Sequence, residues 1–243
     1  MKRGATRLVA VVTSALGHLW LYRLTALIAG HSAARACRFL QHWSVRACGR
    51  LGIDVEVHGT PSRARCLYVA NHRTYLDIPV LAGILGASFV SRSDVASWWV
   101  VGAAAKLVGT VFVDREDPQG RVRAARALAR RVCSGSVVVF PEGTTGADAR
   151  PGPFHPGLFR LLHRLRVPVV PVTIRYSHRR AYWVENIGLG SHLRRRVLAG
   201  PRITVAVHIG DALGAGDHDD GQSLRRAAYR AICAPLDEFG ELA

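Results

Sequence analysis

Acidic side chains are scarce in this chain. Seventeen Asp and Glu stand against 33 Lys and Arg over 243 residues, a formal charge of +16. That imbalance suits an anionic surface, either nucleic acid or a bilayer rich in acidic lipid. Aromatics are few at 7%, and no recognised nucleic-acid module is visible, so nucleic acid is not an expected partner. The five cysteines (Cys37, Cys48, Cys66, Cys133, Cys233) form no Cys-x-x-Cys pair. Neither a zinc site nor a disulfide framework is indicated, and most read as small buried hydrophobes of a reducing compartment. No Gly-x-Ser-x-Gly elbow, Gly-x4-Gly-Lys-Ser/Thr loop or His-Glu-x-x-His pair occurs, which argues against the hydrolases, nucleotidases and zinc peptidases that those motifs serve. Gly188-Leu189-Gly190 and Gly214-Ala215-Gly216 lack the third glycine of a dinucleotide fingerprint and read as loops. No internal repeat is apparent.

What is present is an alternation. From Gly52 onward, short apolar β-prone runs near 53–58, 66–70, 88–91, 110–114, 136–140, 167–176 and 202–209 alternate with helical patterns near 75–85, 94–107, 119–133, 155–166 and 221–238. This predicts an α/β fold with a largely parallel central sheet of about seven strands flanked by helices. In the helix over Arg121 to Cys133, the spacing puts Val122, Ala125, Ala129 and Val132 on one face and arginines on much of the rest. One core of this size suits residues 51–243, with residues 1–50 as an appendage.

That appendage has two parts. Leu8 to Gly30 is mainly apolar and long enough to span a bilayer, interrupted by His18 and Arg23. An arginine at the centre of a spanning helix costs about 2.5–3.5 kcal/mol, less if it snorkels. Basic residues flank both ends, so charge does not orient the segment. A signal peptide is the competing reading, with Met1 to Arg7 as its basic region and Ala34-Arg35-Ala36 as a poor cleavage site. His31 to Arg50 is amphipathic, with Arg35, Arg38, His42 and Arg46 opposite Ala36, Leu40, Trp43 and Ala47. Such a helix suits a membrane interface, though the same stripe could pack on the sheet domain. Together they form an expected two-helix membrane-docking segment.

Four stretches carry the chemistry. Asn71-His72-Arg73-Thr74-Tyr75-Leu76-Asp77 follows one buried strand, and Asp77 falls in the first turn of the next helix. A carboxylate there can accept from one ring nitrogen of His72 and leave the other as a base; the alternative is a mere hydrogen-bonded pair. Gly109 to Arg115 is a strand ending in a charged pair. Val137 to Gly146 is a strand breaking into Pro141-Glu142-Gly143-Thr144-Thr145-Gly146. Val167-Pro168-Val169-Val170-Pro171-Val172 is a third, with prolines that forbid some ladder bonds. Since parallel sheets deliver functional residues past strand carboxyl ends, His72, Arg115 and Glu142 are expected at one rim.

These four, in this order, resemble the glycerolipid acyltransferases of the 1-acylglycerol-3-phosphate acyltransferase type, whose motifs are Asn-His-x4-Asp, Phe-x-x-Arg, Phe-Pro-Glu-Gly-Thr and Val-Pro-x-x-Pro. Here they fall on Asn71 to Asp77, Phe112 to Arg115, Phe140 to Thr144 and Val167 to Pro171. The resemblance, over about residues 51 to 210, implies His72 as base and Asp77 as its orienter. It implies Asn71, Arg115, Glu142, Gly143, Thr144 and Thr145 as substrate-binding, with amides around Gly143 and Thr144 as oxyanion donors. Lys106, Arg150 and Arg175 are further candidates for a phosphate. The bland readings are an ion pair of Arg115 with Asp114, Glu116 or Asp117, a turn role for Glu142, and a solvated helix position for Lys106. No metal and no bound cofactor are expected; acyl-CoA or acyl carrier protein serves as co-substrate.

The implied reaction moves a fatty acyl group from that thioester to the sn-2 hydroxyl of 1-acylglycerol-3-phosphate, on the cytoplasmic face of the cell membrane. The chain departs from the family at Thr145, where members acting on lysophosphatidic acid commonly carry arginine. The Thr-Thr version is similar to relatives that acylate lyso-ornithine lipid or other lysolipids. Rivals of other classes are a non-catalytic basic protein binding membrane or nucleic acid, and a lipid hydrolase in which the same base activates water. Nothing in the sequence sets an oligomeric state.

Overall fold

Residues 2–184 and 187–238 are described by a computed structural model of the chain. Its seven strands are β1 (Ile53–His58), β2 (Leu67–Ala70), β3 (Ser88–Arg92), β4 (Val111–Val113), β5 (Val137–Val139), β6 (Val169–Tyr176) and β7 (Ile203–Ile209). They form one sheet in the order β1-β7-β6-β2-β5-β3-β4. All neighbours pair in parallel except β6 with β7. The carboxyl ends of β2 to β6 therefore share one edge with the amino ends of β7 and β1. Every position of β2 and β5 is buried, as expected when helices cover both faces of a sheet.

The helices are α1 (Lys2–Ala29), α2 (Ala33–Leu51), α3 (Asp77–Leu85), α4 (Trp99–Leu107), α5 (Pro118–Ser134), α6 (Pro156–Leu165), α7 (Leu189–His192) and α8 (Gly221–Asp237). On one face Cys66, Tyr68 and Ala70 of the β2 stretch pack with Val80 and Leu81 of α3 and Ala47, Cys48 and Leu51 of α2. On the other, Leu67 and Val69 meet Leu128 of α5, Leu162 of α6 and Leu224 of α8. The alternation along one four-residue strand thus feeds two cores. Residues 1–50 and 51–243 share the first of them. The apolar stripe of α2 is covered within the protein, Ala36 and Leu40 beside Tyr22 and Val108, Trp43 on Ser14 of α1 and Ala47 in the first core, which favours the packing reading of that helix over a free amphipathic one; four of the five cysteines are buried and Cys133 is exposed.

Two expectations are corrected. Val122 is exposed, and the buried stripe of α5 is Gly120, Ala124, Leu128 and Val132. The helix starts at Pro118 behind the Asp117 cap, and Ala124, Leu128 and Val132 join the second core. The expected helix over 94–107 is split, with a tight turn over Ser93–Ser97 before α4. Tight turns at Arg179–Ala181 and Ala215–Asp217 and a π-turn at Leu193–Val197 had no sequence signal strong enough to read.

Candidate active site

Asp77 sits where β2 has broken and α3 begins, with no solvent exposure. Its carboxylate is fully engaged. Oδ2 accepts from His72 Nδ1 at 2.8 Å and from the backbone N–H groups of Arg73 and Thr74 at 2.7 and 3.1 Å. Oδ1 accepts from the Tyr176 hydroxyl at 2.8 Å. Four donors thus converge on this carboxylate at the amino end of a helix. Because it can only accept, Nδ1 of His72 must carry the proton, and the lone pair lies on Nε2. No hydrogen bond among the described residues engages Nε2. The ring stacks on Phe140, centroids 4.0 Å apart and 17° from parallel, and 20% of the side chain is open to solvent. The imidazole is thus clamped on one nitrogen and one face, and open at the other nitrogen.

Tyr176 completes the arrangement, and the sequence reading missed it. Burial, with the Asp77 charge beside it, pushes its hydroxyl well above the usual tyrosine range, so it stays a donor. Its signal is weak but real: Val172, Ile174 and Tyr176 alternate along β6 and must share a face. What no sequence shows is that β6 lies beside β2, which brings a residue 99 positions away onto Asp77.

Several residues expected to bind substrate make hydrogen bonds within the protein. Asn71 is sealed at 0% exposure; its Nδ2 donates to Ile174 O and its Oδ1 accepts from Ile174 N, at 2.9 and 2.7 Å. It fastens β2 to β6 and cannot reach a ligand. Glu142 is also buried. Oε1 accepts from His72 N at 2.8 Å and Oε2 from Gly152 N at 2.7 Å. Burial pushes its carboxyl up, while those two amides and the nearby Arg73 guanidinium pull the other way. It holds the His72 backbone in place. Thr145 donates from Oγ1 to Trp183 O at 2.6 Å. Arg150 is held on Asp237 at 2.9 and 3.1 Å, out in solvent. Lys106 is exposed on α4. Arg175 is half-buried, rooted on the sheet face opposite Tyr176.

Arg115 and the Gly143–Thr144 turn remain at the rim. Arg115 donates from Nη1 to Gly143 O and makes none of the ion pairs weighed for it, since Asp117 is taken by Arg123. Burial and Arg92 lower its pKa. Gly143 has φ +74°, the left-handed region that favours glycine, and the His155 and Arg115 side-chain ends crowd the place a Cβ would take. Thr144 is exposed beside it.

A strap closes one side. Trp183 N donates to Arg73 O at 3.0 Å, and Tyr75 packs edge-on to Trp183. Nε2 of His192 must donate to Tyr182 O, since a carbonyl only accepts, so Nδ1 takes the Tyr75 hydroxyl at 3.1 Å. Arg73, 1% exposed, donates to Gly146 O and Ala149 O, both at 3.2 Å. Among the described residues no cluster of three or more His, Cys, Asp or Glu could hold a metal ion.

A model of the acyltransferase family matches residues 54–175, which contain the His72–Asp77 pair, the Glu142 turn and the strand ahead of Tyr176. The chain belongs to the acyltransferase family. Curated relatives agree. Lyso-ornithine lipid O-acyltransferase of Rhizobium meliloti is 34% identical over 82% of this chain and 74% of that one. The protein of the same name from Pseudomonas aeruginosa is 30% identical over 98% and 93%. The chloroplastic 1-acyl-sn-glycerol-3-phosphate acyltransferase BAT2 of Brassica napus is 40% identical over 45% of this chain and 32% of its own. The crystal structure of the 1-acyl-sn-glycerophosphate acyltransferase PlsC of Thermotoga maritima superposes with a TM-score of 0.66 at 19% identity, covering 97% of this chain and 100% of that one. The fold is shared. This acyltransferase is therefore an enzyme that transfers acyl groups to oxygen, and the non-catalytic rival falls.

Proposed function

We propose that the acyltransferase moves a fatty acyl group from a thioester, acyl-CoA or acyl carrier protein, to the hydroxyl of a lysolipid, with His72 as general base. The observation that carries this is the Tyr176–Asp77–His72 chain ending in an open Nε2. As the acceptor oxygen attacks the thioester carbonyl, its proton passes to Nε2. Asp77 stabilises the imidazolium without taking the proton, as the carboxylate of a serine-protease triad does. Gly143 N already donates to Phe140 O at 3.1 Å, so the Thr144 and Thr145 amides serve as donors to the tetrahedral oxyanion. Collapse breaks the carbon–sulfur bond, and the leaving thiolate recovers the proton from His72. An enzyme nucleophile is not needed, since the acceptor hydroxyl plays that part.

Lyso-ornithine lipid is the acceptor best supported. Thr145 directs its hydroxyl at Trp183 O and adds no positive charge to the turn, and the relatives matched over most of both chains carry that name. Lysophosphatidic acid is the second reading, favoured by Arg115 at the rim and by a relative from Neisseria gonorrhoeae, 25% identical over 93% of this chain and named a 1-acyl-sn-glycerol-3-phosphate acyltransferase. The membrane supplies the acceptor, and the thioester sets the site on the cytoplasmic face. In detergent, thiol release on a panel of lysolipids separates the two acceptors. His72→Ala should lower the rate by at least about a hundredfold. A rate unchanged in that variant, or thiol release as fast without any acceptor, sinks the proposal.

A further inference from the structure

Exposed apolar side chains gather on two elements, α1 and the first turn of α4. Helix α1 is fastened to the folded domain along its length. Ser14 Oγ accepts from Trp43 Nε1 and Arg50 Nη1, and Tyr22, 2% exposed, donates to Ser32 O. Near its start, Gly4 lies against Leu198. Its outer face is bare, with Trp20, Leu27 and Ile28 exposed at 64%, 82% and 90%. Tyr22 and Ala26 of α1 pack on Leu107 and Val108 at the end of α4. The opposite end of α4 follows β3 and so reaches the edge where His72 lies. There Trp98 and Trp99 stand side by side, and Trp99 is 80% exposed with Val101 beside it.

We propose that the first turn of α4 is a second membrane contact, seating the rim of the site against an anionic leaflet. The inference rests on the lysolipid reading and names the surface by which the acceptor is reached. Tryptophan rings favour the bilayer interface, where an apolar body meets a polar edge. Neighbouring charge fits such a surface. Lys106 lies two helical turns after Trp99 on the same face, with its charge in solvent, while Arg92 ahead of the turn is paired with Asp94 at 3.1 Å. The function left Lys106 without a role; beside an acidic headgroup it has one. The presentation is rigid. Gly102 N donates to Trp98 O at 2.6 Å, and a Cβ on Gly102 would come within 2.5 Å of Ala96 O. The tryptophans are therefore held out by backbone packed against backbone. A net charge of +16 makes an acidic bilayer a better match for this face than a second copy of the chain.

The test uses the full chain with phosphatidylcholine vesicles, with and without phosphatidylglycerol. In the Trp98→Ser/Trp99→Ser double variant, partition onto phosphatidylglycerol vesicles should fall about tenfold. Quenching of tryptophan fluorescence by brominated lipid should fall with it. Transfer to acceptor embedded in vesicles should drop in parallel, while transfer in detergent micelles and the circular dichroism spectrum match the parent. Unchanged partition and quenching overturn the proposal, as does an altered oligomeric state with vesicle binding intact. If the parent shows no transfer in either medium, the lysolipid reading fails, yet partition and quenching still decide the contact.

Discussion

Two histidine sites occupy opposite edges of the same sheet, and they differ in everything that makes an imidazole reactive. At one edge His72 has a buried carboxylate on Nδ1, a phenyl ring on one face and an open Nε2. At the other, His58 and His208 stack on each other, centroids 4.4 Å apart, beside a cleft of about 250 Å³ lined by Pro171, Thr173 and Pro235. Burial, then the neighbouring His58, pushes His208 below the ordinary histidine range, with Glu238 acting weakly the other way. His72 lies in the loop after β2 with a carboxylate on one nitrogen, whereas His208 lies within β7 with no carboxylate on it and is discouraged from carrying a proton.

The largest effect should come from breaking that difference. Asp77→Asn keeps a similar shape but removes the charge that stabilises the imidazolium, and kcat should fall by about a hundredfold or more. A variant retaining a tenth of the parent rate would show that His72 works unaided.

Tyr176→Phe sharpens the comparison instead. The ring still fills its place on the sheet, but Asp77 Oδ1 is left without a donor. Stability should drop by about 1–3 kcal/mol, read in denaturant unfolding. The carboxylate also loses the bond that fixes its position against His72, and kcat should fall roughly tenfold while KM changes less. A loss of stability with kcat unmoved would make Tyr176 a packing residue only.

Much of this was legible in the sequence because it is local. Seven strand positions, the helices between them and the placement of His72, Arg115 and Glu142 past strand ends all follow from runs of apolar residues and their breaks. The His72–Asp77 pair spans five residues and one turn, so spacing alone could predict it. Roles that depend on strand order could not be read. Asn71 and Glu142 look like ligand residues because they flank the base, yet both face backbone from β6 and from the Gly152 loop. Arg150 looks free until α8 brings Asp237 to it. The face of α5 was misjudged because small alanines give helical periodicity little contrast.

Glu142→Gln tests the scaffold half of that distinction. An amide oxygen can replace one acceptor, but its NH2 would face the N–H of His72 or Gly152. The Tm should fall by about 2–4 °C for each kcal/mol of a roughly 1–3 kcal/mol penalty. KM for the lipid acceptor should change less than kcat, because the residue holds the base and does not hold the substrate. A raised KM with Tm unchanged would return Glu142 to the binding site.

The smallest effect belongs to the far edge. With its folded pKa depressed, His208 binds fewer protons in the folded chain than in the unfolded one just below about pH 6.5. Stability must then fall as pH drops through that window, and it carries no His208 contribution above it, where both states are neutral. His208→Gln should flatten this part of the stability profile, measured by urea unfolding between about pH 7.5 and about pH 5.5, above most carboxylate titrations. The change should be modest, since the ring is only partly buried and water screens its partners. Acyl transfer at neutral pH should be untouched, because the two edges are a strand length apart. A steeper profile in the variant, or a matching change in the pH dependence of kcat, would mean that the two histidine sites are coupled through the sheet.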